Sequence, residues 1–312
     1  MFKHPPRLAC LSLLVLAWAL TGNAAAAATP LTVAYAGSMG AVMDKGLGPA
    51  FDRLHGTTFQ GIGQGAYGLA RQLAAKQLRA DVFVSITAGP VGILQQAGLL
   101  GRALPIASTQ MVIAYSPRSR FAARLAAASR DGMPWYEVLQ LPGLRFGRTD
   151  PATDPQGRNI VFTMLLAQRY YDRPGLARKI LGPVRNPAQI FTEPSLLSRL
   201  EAGQIDASSG YLSAAVSHRL PYIRLPAQIN LSDPAMVAHW YATTHFDITL
   251  PNDRTDTLAT QPLVFYAGVM KDAAHPRQAR RFIAFLRSAQ GQRLLQDYGY
   301  SPPMGNALEP SP

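Results

Sequence analysis

The sequence predicts an α/β protein made of two doubly wound lobes that are joined by two crossing strands. Short β-branched or aromatic runs alternate with amphipathic runs, a pattern typical of βαβ units with parallel strands. The strand-like run at 111–116 is closed by Pro117 and leads into new α/β material, and the chain ends with a further strand and two helices. A length of 312 residues is enough for two domains of ordinary size.

The elements follow from these runs in chain order. The first third predicts strands at 31–35, 57–62 and 81–86, with helices at 51–54, 69–78 and 91–97. The middle third predicts strands at 111–116, 144–148, 204–208 and 222–225, with helices at 120–129, 160–171, 194–202 and 212–217. The last third predicts a strand at 263–270 and helices at 276–286 and 290–298.

We expect the first and last thirds to form one lobe, because the chain returns there to a strand after the middle third. This interpretation assigns residues 29–114 plus 242–312 to lobe I and residues 115–241 to lobe II. Two strands then cross between the lobes, near Tyr115 and near Tyr241. Such a hinged cleft is the usual place for a small ligand.

The first 28 residues have the pattern of a secretory signal peptide. Lys3 and Arg7 form a positive region, residues 8–20 are apolar, and residues 24–28 are alanines suited to cleavage. The only cysteine, Cys10, lies inside this segment and before most of the apolar run, which argues against a lipid-anchored cysteine. We therefore expect an exported, periplasmic protein whose mature part has no disulfide.

The chain is basic, with 30 Lys and Arg against 18 Asp and Glu and a formal net charge of +12. The basic residues are scattered, and no run of five or more occurs, so a nucleic-acid patch is not predicted. A basic surface that mildly favours anions is the simpler interpretation.

Two turns point to an anion site. Residues 147–157 end a predicted strand and open a predicted helix, and Ala36-Gly37-Ser38 follows the first strand in the same way. Backbone N–H groups at such helix starts have no partner within the helix and bind anions. Two facing turns could hold one oxyanion between them.

Further motifs carry a resemblance to a known family. They are 80–85 (ADVFVS), 147–151 (GRTDP), 154–157 (DPQG), 200–206 (LEAGQID), 222–226 (YIRLP), 229–231 (INL), 285–288 (FLRS) and 299–303 (GYSPP). Over residues 31 to about 303 the chain resembles the periplasmic substrate-binding proteins of molybdate and tungstate ABC transporters, the tungstate-type subgroup in particular.

The resemblance implies a type II periplasmic binding protein fold and an oxyanion held in the cleft between the lobes. It further implies an inner-membrane ABC permease as partner, a monomer, no catalysis, and no cofactor beyond the molybdate or tungstate ligand. The ligand-binding residues it implies, together with neighbours in the same turns, are Ser38, Gly65, Ala66, Asp154, Gly157, Arg158 and Tyr211. Asp154 would contact a metal only through a bound metal oxyanion.

The chain departs from the family pattern at two positions. Ala66 stands where the family has serine, and Gly210 stands where the subgroup has a second carboxylate that approaches the metal. With Asp154 as a lone carboxylate, we expect the bound anion to stay tetrahedral. Arg158 could add a cationic donor. A sulfate-like or small organic anion is therefore an alternative ligand.

The site residues also have ordinary interpretations. Ser38 and Asp154 could cap helices, Tyr211 could pack as a half-buried aromatic, and Arg158 could lie on the surface. Gly63-x-Gly65-x-x-Gly68 matches a dinucleotide fingerprint only weakly.

Other function classes are less well supported by the sequence. An exported metal-dependent hydrolase would use His218, His239 and His245 with Asp233 or Asp247, but their spacing fits no zinc motif. No Gly-x-Ser-x-Gly nucleophile motif occurs. A ligand-sensing regulator would carry a DNA-binding helix-turn-helix where this chain has its signal.

Overall fold

The computed structural model describes residues 1–2, 28–130, 133–249 and 254–310. Almost all of the predicted signal peptide lies outside these ranges. Within them, no helix combines the length and the apolar character needed to cross a membrane.

The described residues form eleven strands and thirteen α-helices, besides short 3-10 and π-helical segments. The strands are β1 (Thr29–Ala36), β2 (Thr57–Gln64), β3 (Val82–Ile86), β4 (Leu104–Ser108), β5 (Met111–Tyr115), β6 (Phe146–Gly147), β7 (Ala207–Tyr211), β8 (Tyr222–Arg224), β9 (His245–Thr249), β10 (Thr255–Ala259) and β11 (Val264–Val269). The helices are α1 (Gly40–Val42), α2 (Gly48–His55), α3 (Ala66–Ala74), α4 (Ala88–Gln96), α5 (Ala122–Arg130), α6 (Trp135–Val138), α7 (Pro155–Tyr170), α8 (Leu176–Leu181), α9 (Glu193–Glu201), α10 (Leu212–Ser217), α11 (Ala227–Asn230), α12 (Pro276–Arg287) and α13 (Ala289–Asp297).

Two mixed sheets define the two lobes. The sheet of lobe I has the order β2-β1-β3-β11-β4, and that of lobe II has the order β6-β7-β5-β8. Strand β1 runs parallel to β2 and β3, whereas β11 runs antiparallel to β3 and β4. In lobe II, β6 and β7 are parallel and β5 is antiparallel to both of its neighbours. The predicted α/β class with two lobes is confirmed, but the sheets are mixed where parallel units were expected.

The central strands are buried on both faces. All residues of β3, β5 and β7 are buried, because helices cover each sheet on its two sides. One apolar cluster passes through both lobes and includes Met39, Met111 and Ile160. Smaller clusters fill the outer layer of each lobe. The two lobes therefore share a continuous apolar core.

The chain changes sheets between Ser108 and Met111, before the crossing that the sequence predicts at Tyr115. It returns through the hairpin β9–β10, whose strands form a separate two-stranded sheet. Phe246 of this hairpin packs on Phe162 of α7, with ring centroids 4.8 Å apart. The hairpin thus contacts lobe II, although its residues fall in the predicted lobe I. The predicted boundaries at 114/115 and 241/242 remain a prediction.

Several strands differ between the sequence prediction and the structure. Strand β7 begins three residues later than expected, because Gly203 at φ 75° and the residues after it form a turn. Strand β6 keeps only two of its five predicted residues and lies at a sheet edge. Strand β4 was not predicted. It contains Pro105, and proline is tolerated there because β4 is also an edge strand.

Candidate functional site

The start of α7 places Asp154 at the cleft. Its Oδ1 accepts a hydrogen bond of 2.8 Å from the backbone N–H of Gln156, so Asp154 caps the helix that Pro155 opens. Asp150 holds the preceding turn, since its side chain accepts from the backbone N–H of Ala152 at 2.9 Å. The side chain of Asp154 is 6% exposed. One carboxylate oxygen is therefore used by the cap, and the other, Oδ2, faces lobe I.

The loop after β2 meets this turn from the other lobe. A Cβ atom built on Gly65 would lie 2.9 Å from the carbonyl oxygen of Thr153 and 3.2 Å from Oδ2 of Asp154. Only a glycine permits this approach. The backbone N–H of Gly68 donates to Thr153 O at 3.1 Å. The next residue after Gly65, the buried Ala66, begins α3. The loop after β2 and the Asp154 turn therefore meet.

Ser38 lies in the short 3-10 turn that follows β1, and it is 4% exposed. Its hydroxyl oxygen is buried without a hydrogen-bond partner among the described residues, and it does not cap a helix. The hydroxyl of Tyr300 donates to the carbonyl oxygen of Ser38 at 3.2 Å. Ser38 thus presents an unused hydroxyl in the interior of the cleft.

Glu193, the first residue of α9, was not predicted as a site residue. Its carboxyl is buried, with an exposed fraction of 4%, and Oε1 accepts from Nε2 of Gln156 at 3.2 Å. The backbone N–H of Ser38 lies near this carboxyl and lowers its pKa. Oε2 lies 2.9 Å from the position of a Cβ on Gly37. The expectation that Asp154 has no partner carboxyl is therefore wrong.

Nothing in the sequence marks Glu193 as a site residue. A glutamate in the first turn of a helix is favoured by the helix dipole and is usually solvent-exposed. Glu193 and Asp154 are separated by a long stretch of chain, and only the packing of α9 brings them together. The Thr192-Glu193-Pro194 helix start was the one available signal.

Ser38, Asp154, Gln156, Glu193 and Tyr211 form what we call the cleft cluster. Burial and the neighbouring Asp154 raise the pKa of Glu193 well above its ordinary value, and hydrogen bonds from Ser38 and Gln156 oppose this only in part. Burial raises the pKa of Asp154 to about 6, while the hydrogen bond from Gln156 lowers it. The carboxyls of the cluster therefore retain protons more readily than exposed carboxyls do.

Tyr211 closes the cluster from strand β7. Its side chain is 1% exposed, and its hydroxyl accepts from Nδ2 of Asn159 at 2.9 Å. Burial, followed by the charges of Asp154 and Glu193, raises the pKa of Tyr211 well above its ordinary value. The phenol stays neutral and keeps its proton for donation. The later start of β7 brings in Ser209, whose hydroxyl donates to Oε1 of Gln156 at 2.8 Å.

Arg158 is buried, but its contacts point away from the cluster. The guanidinium lies over the ring of Tyr67, 3.5 Å from the centroid, and its Nε donates to Pro151 O at 2.8 Å. It lines a separate small cavity of about 60 Å³. Gly157 packs on backbone instead, since a Cβ there would lie 2.5 Å from the carbonyl oxygen of Thr149. The ligand roles of both residues remain predictions.

A cavity of about 550 Å³ adjoins the cluster on the side of Glu193. Its lining comes from both lobes and includes Gln64, Gly65, Thr149, Phe191 and Glu193. This volume is within the range of small-ligand sites. In the described ranges, no three His, Cys, Asp or Glu side chains gather into a group that could hold a metal ion.

Comparison with known proteins identifies relatives by sequence. A putative molybdenum-binding ABC transporter protein of Haloferax volcanii is 33% identical over 217 residues, which cover 68% of this chain and 65% of that protein. A molybdate/tungstate-binding protein of Pyrococcus abyssi is 28% identical over 259 residues, which cover 77% of this chain and 73% of that protein. The chain thus spans slightly less than two thirds of the length of the Haloferax relative and nearly three quarters of that of the Pyrococcus relative.

The solved structure of the periplasmic molybdate-binding protein of Azotobacter vinelandii superposes with a TM-score of 0.61 at 15% identity. The match covers 88% of this chain and 100% of that one, and it shows the type II periplasmic binding protein fold. The family model of bacterial extracellular solute-binding proteins matches residues 31–301. The chain therefore belongs to the bacterial extracellular solute-binding protein family.

Proposed function

We propose that this protein is the solute-binding component of an ABC importer and that it captures molybdate or tungstate in the cleft between its lobes. The observation that carries the proposal is the cleft cluster itself. Ser38 offers a buried hydroxyl without a partner and a backbone N–H, and the Asp154 turn faces it from the other lobe. The names of the relatives from Haloferax and Pyrococcus support this ligand class.

Charge limits how the anion can bind. A dianion beside Asp154 and Glu193 is repelled unless the carboxyls hold protons, move away, or bond to the metal of the oxyanion. The raised pKa values of both carboxyls make protonation accessible near neutral pH. The expectation of tetrahedral geometry rested on one carboxylate, and it now depends on where Glu193 lies when the anion is bound.

Binding would close the lobes over the anion. The closed protein would then dock to an inner-membrane permease and release its ligand. We further propose that the protein is exported to the periplasm, acts as a monomer, needs no cofactor besides the anion, and carries out no chemistry on it. The solute-binding family supports this role in transport.

A thermal-shift panel tests the proposal. The purified mature protein is heated with molybdate, tungstate, sulfate, thiosulfate or phosphate. At a thousandfold excess over the dissociation constant, the true ligand stabilises the folded state by about 4 kcal/mol. We expect molybdate and tungstate to raise the melting temperature most. A larger rise of the melting temperature with sulfate would favour the sulfate-like alternative. No rise with any anion of the panel would contradict the proposal.

A further inference from the structure

Glu193 uses the donors that an oxyanion would need. Its carboxyl accepts from the side-chain amide of Gln156, whose Nε2 lies 3.2 Å from Oε1, and it lies near the backbone N–H of Ser38. Its Oε2 fills the space in front of Gly37, where a Cβ would lie only 2.9 Å away. A carboxyl and an oxyanion compete for such donors, because each donor hydrogen can serve one of them at full strength.

The nearby guanidinium groups do not neutralise Glu193. Arg158 is engaged with Tyr67 and Pro151, and Arg71 donates through Nη1 to the carbonyl oxygen of Ala152 at 3.0 Å. Arg185 pairs with Asp150 at 3.1 Å. In the part of the chain that the structure describes, no ion pair involves Glu193. An arriving anion would therefore meet the carboxyl of Glu193 without an intervening cation.

Glu193 has room to leave. It lines the adjoining cavity of about 550 Å³ together with Thr192 and Pro194, so rotation about its side-chain bonds would carry the carboxyl out of the cluster. Its backbone could stay in place at the first turn of α9. A glutamate that reaches water at a helix N-terminus is also stabilised by the helix dipole. Leaving would thus require no unfolding of α9.

We propose that Glu193 is a selectivity gate, an internal competitor that occupies the anion position and must be displaced into the cavity when the anion binds. This inference rests on the proposed function and adds a specificity-determining residue to it. Anions that hold the Ser38 and Gln156 donors more strongly than a carboxyl displace the gate, whereas weaker acceptors do not. After displacement, Asp154 is the one carboxyl of the cluster beside the anion, which favours tetrahedral geometry.

Calorimetric titration with tungstate and with sulfate tests the gate on the full mature protein. Glu193→Ala removes the competitor, and we expect tungstate affinity to rise about tenfold, the factor that corresponds to about 1.4 kcal/mol. The affinity for sulfate should rise by at least as much, so that selectivity falls. Glu193→Gln should act in the same direction but to a smaller extent, because an amide oxygen accepts the same hydrogen bonds more weakly than a carboxylate does. The matched control is Glu201→Ala, an exposed glutamate of the same helix that pairs with His218 at 2.8 Å.

The outcomes separate the gate from the proposed function. If Glu193→Ala binds tungstate more weakly than the wild type does, Glu193 is a ligand contact and the gate is overturned. The proposed function would still stand, because the wild-type protein binds the anion. Unchanged affinity in both Glu193 variants would also overturn the gate. If the folded wild-type protein binds neither anion, the proposed function fails and the gate fails with it. Glu193→Gln keeps the shape of the side chain and decides the matter if Glu193→Ala does not fold.

Discussion

A buried hydroxyl without a hydrogen-bond partner lowers the stability of a folded protein, and Ser38 carries one in the cleft. Strand-turn-helix transitions in the sequence mark the turns of Ser38 and Asp154, and the family resemblance adds Gly65; the ligand roles of all three remain predictions. Glu193 could not be found, since its position depends on how α9 packs against the other lobe. Arg158 was expected at the anion from its position in the turn, but its guanidinium lies over the ring of Tyr67.

Replacing Ser38 by alanine should separate binding from stability. Because the hydroxyl has no partner in the described structure, Ser38→Ala should leave the melting temperature without anion unchanged or slightly higher. The shift caused by molybdate or tungstate should fall strongly, since a ligand donor is lost.

Thermal unfolding with and without the anion measures both effects. Ser129→Ala is a suitable control, because that hydroxyl donates to Tyr222 O at 3.0 Å, remote from the cleft cluster. A full anion response in Ser38→Ala would show that the hydroxyl does not contact the ligand.

The raised pKa of Asp154 predicts how stability depends on pH. Its ordinary value of 3.8 applies to the unfolded chain, and burial raises it to about 6 in the folded protein. The folded state binds the proton more tightly, so this contribution is fully present below pH 3.8 and is lost as the pH rises to about 6. The buried Glu193 acts in the same direction.

Melting temperatures of the protein without added anion, measured from pH 4.5 to 8, test this expectation. Asp154→Asn keeps a side chain that can cap α7 but removes the titration, so its melting temperature should fall less than that of the wild type as the pH rises. The exposed Asp247→Asn should follow the wild-type profile. Equal profiles for Asp154→Asn and wild type would refute the assigned pKa shift.

At the level of elements, helix α7 shows how a capping residue and a proline set the start of a helix. Its start was predicted at 160, but the Asp154 cap and Pro155 set it at 155. The strands β1, β2 and β3 follow from their apolar runs within a few residues. The hairpin β9–β10 was missed although Phe246 and Ile248 alternate with polar residues, because its stability comes from contact with α7.

Gly157 should be needed for the shape of this helix start. A Cβ there would lie 2.5 Å from Thr149 O and 2.6 Å from the backbone nitrogen of Pro151, and backbone atoms cannot move aside easily. We expect Gly157→Ala to destabilise the protein by about 1–3 kcal/mol, as overpacking does, and to weaken anion binding by shifting the Asp154 turn.

Denaturant unfolding measures the change against a matched helix glycine. A Cβ on Gly92 of α4 would meet nothing within 4 Å, so Gly92→Ala should stabilise the protein by up to about 1 kcal/mol through helix propensity. If Gly157→Ala were as harmless as Gly92→Ala, the close packing of the helix start would be disproved.

For the whole molecule, the order of short strands and helices was enough to predict two α/β lobes with a cleft. The antiparallel placement of β5 and β11 was not predictable, because it is decided by pairing between distant parts of the chain. The same long-range packing brings the loop after β2 onto the Asp154 turn. Hydrogen bonds across the cleft, such as Gly68 to Thr153, are therefore properties of the assembled lobes.

Arg71 should contribute to closure of the lobes. Its Nη1 on α3 donates to the carbonyl oxygen of Ala152 in lobe II at 3.0 Å, without touching the cleft cluster. Arg71→Gln should weaken anion binding by about tenfold, the order expected for a lost hydrogen bond from a charged donor.

Titration calorimetry compares Arg71→Gln with the exposed Arg124→Gln, which should bind as the wild type does. Small-angle scattering should show a more open average shape for Arg71→Gln in the presence of the anion. Wild-type affinity in Arg71→Gln would mean that this contact does not support the closed form.

The central claim is that one oxyanion is held between Ser38 on lobe I and the Asp154 turn on lobe II. A crystal structure of the tungstate-loaded protein, with tungsten located by its anomalous scattering, tests it most directly. We predict one strong peak in the cleft cluster, with tungstate oxygens within about 3 Å of the Ser38 hydroxyl and of donors on lobe II. A peak outside the cluster, or an anion that contacts one lobe alone, would contradict the claim.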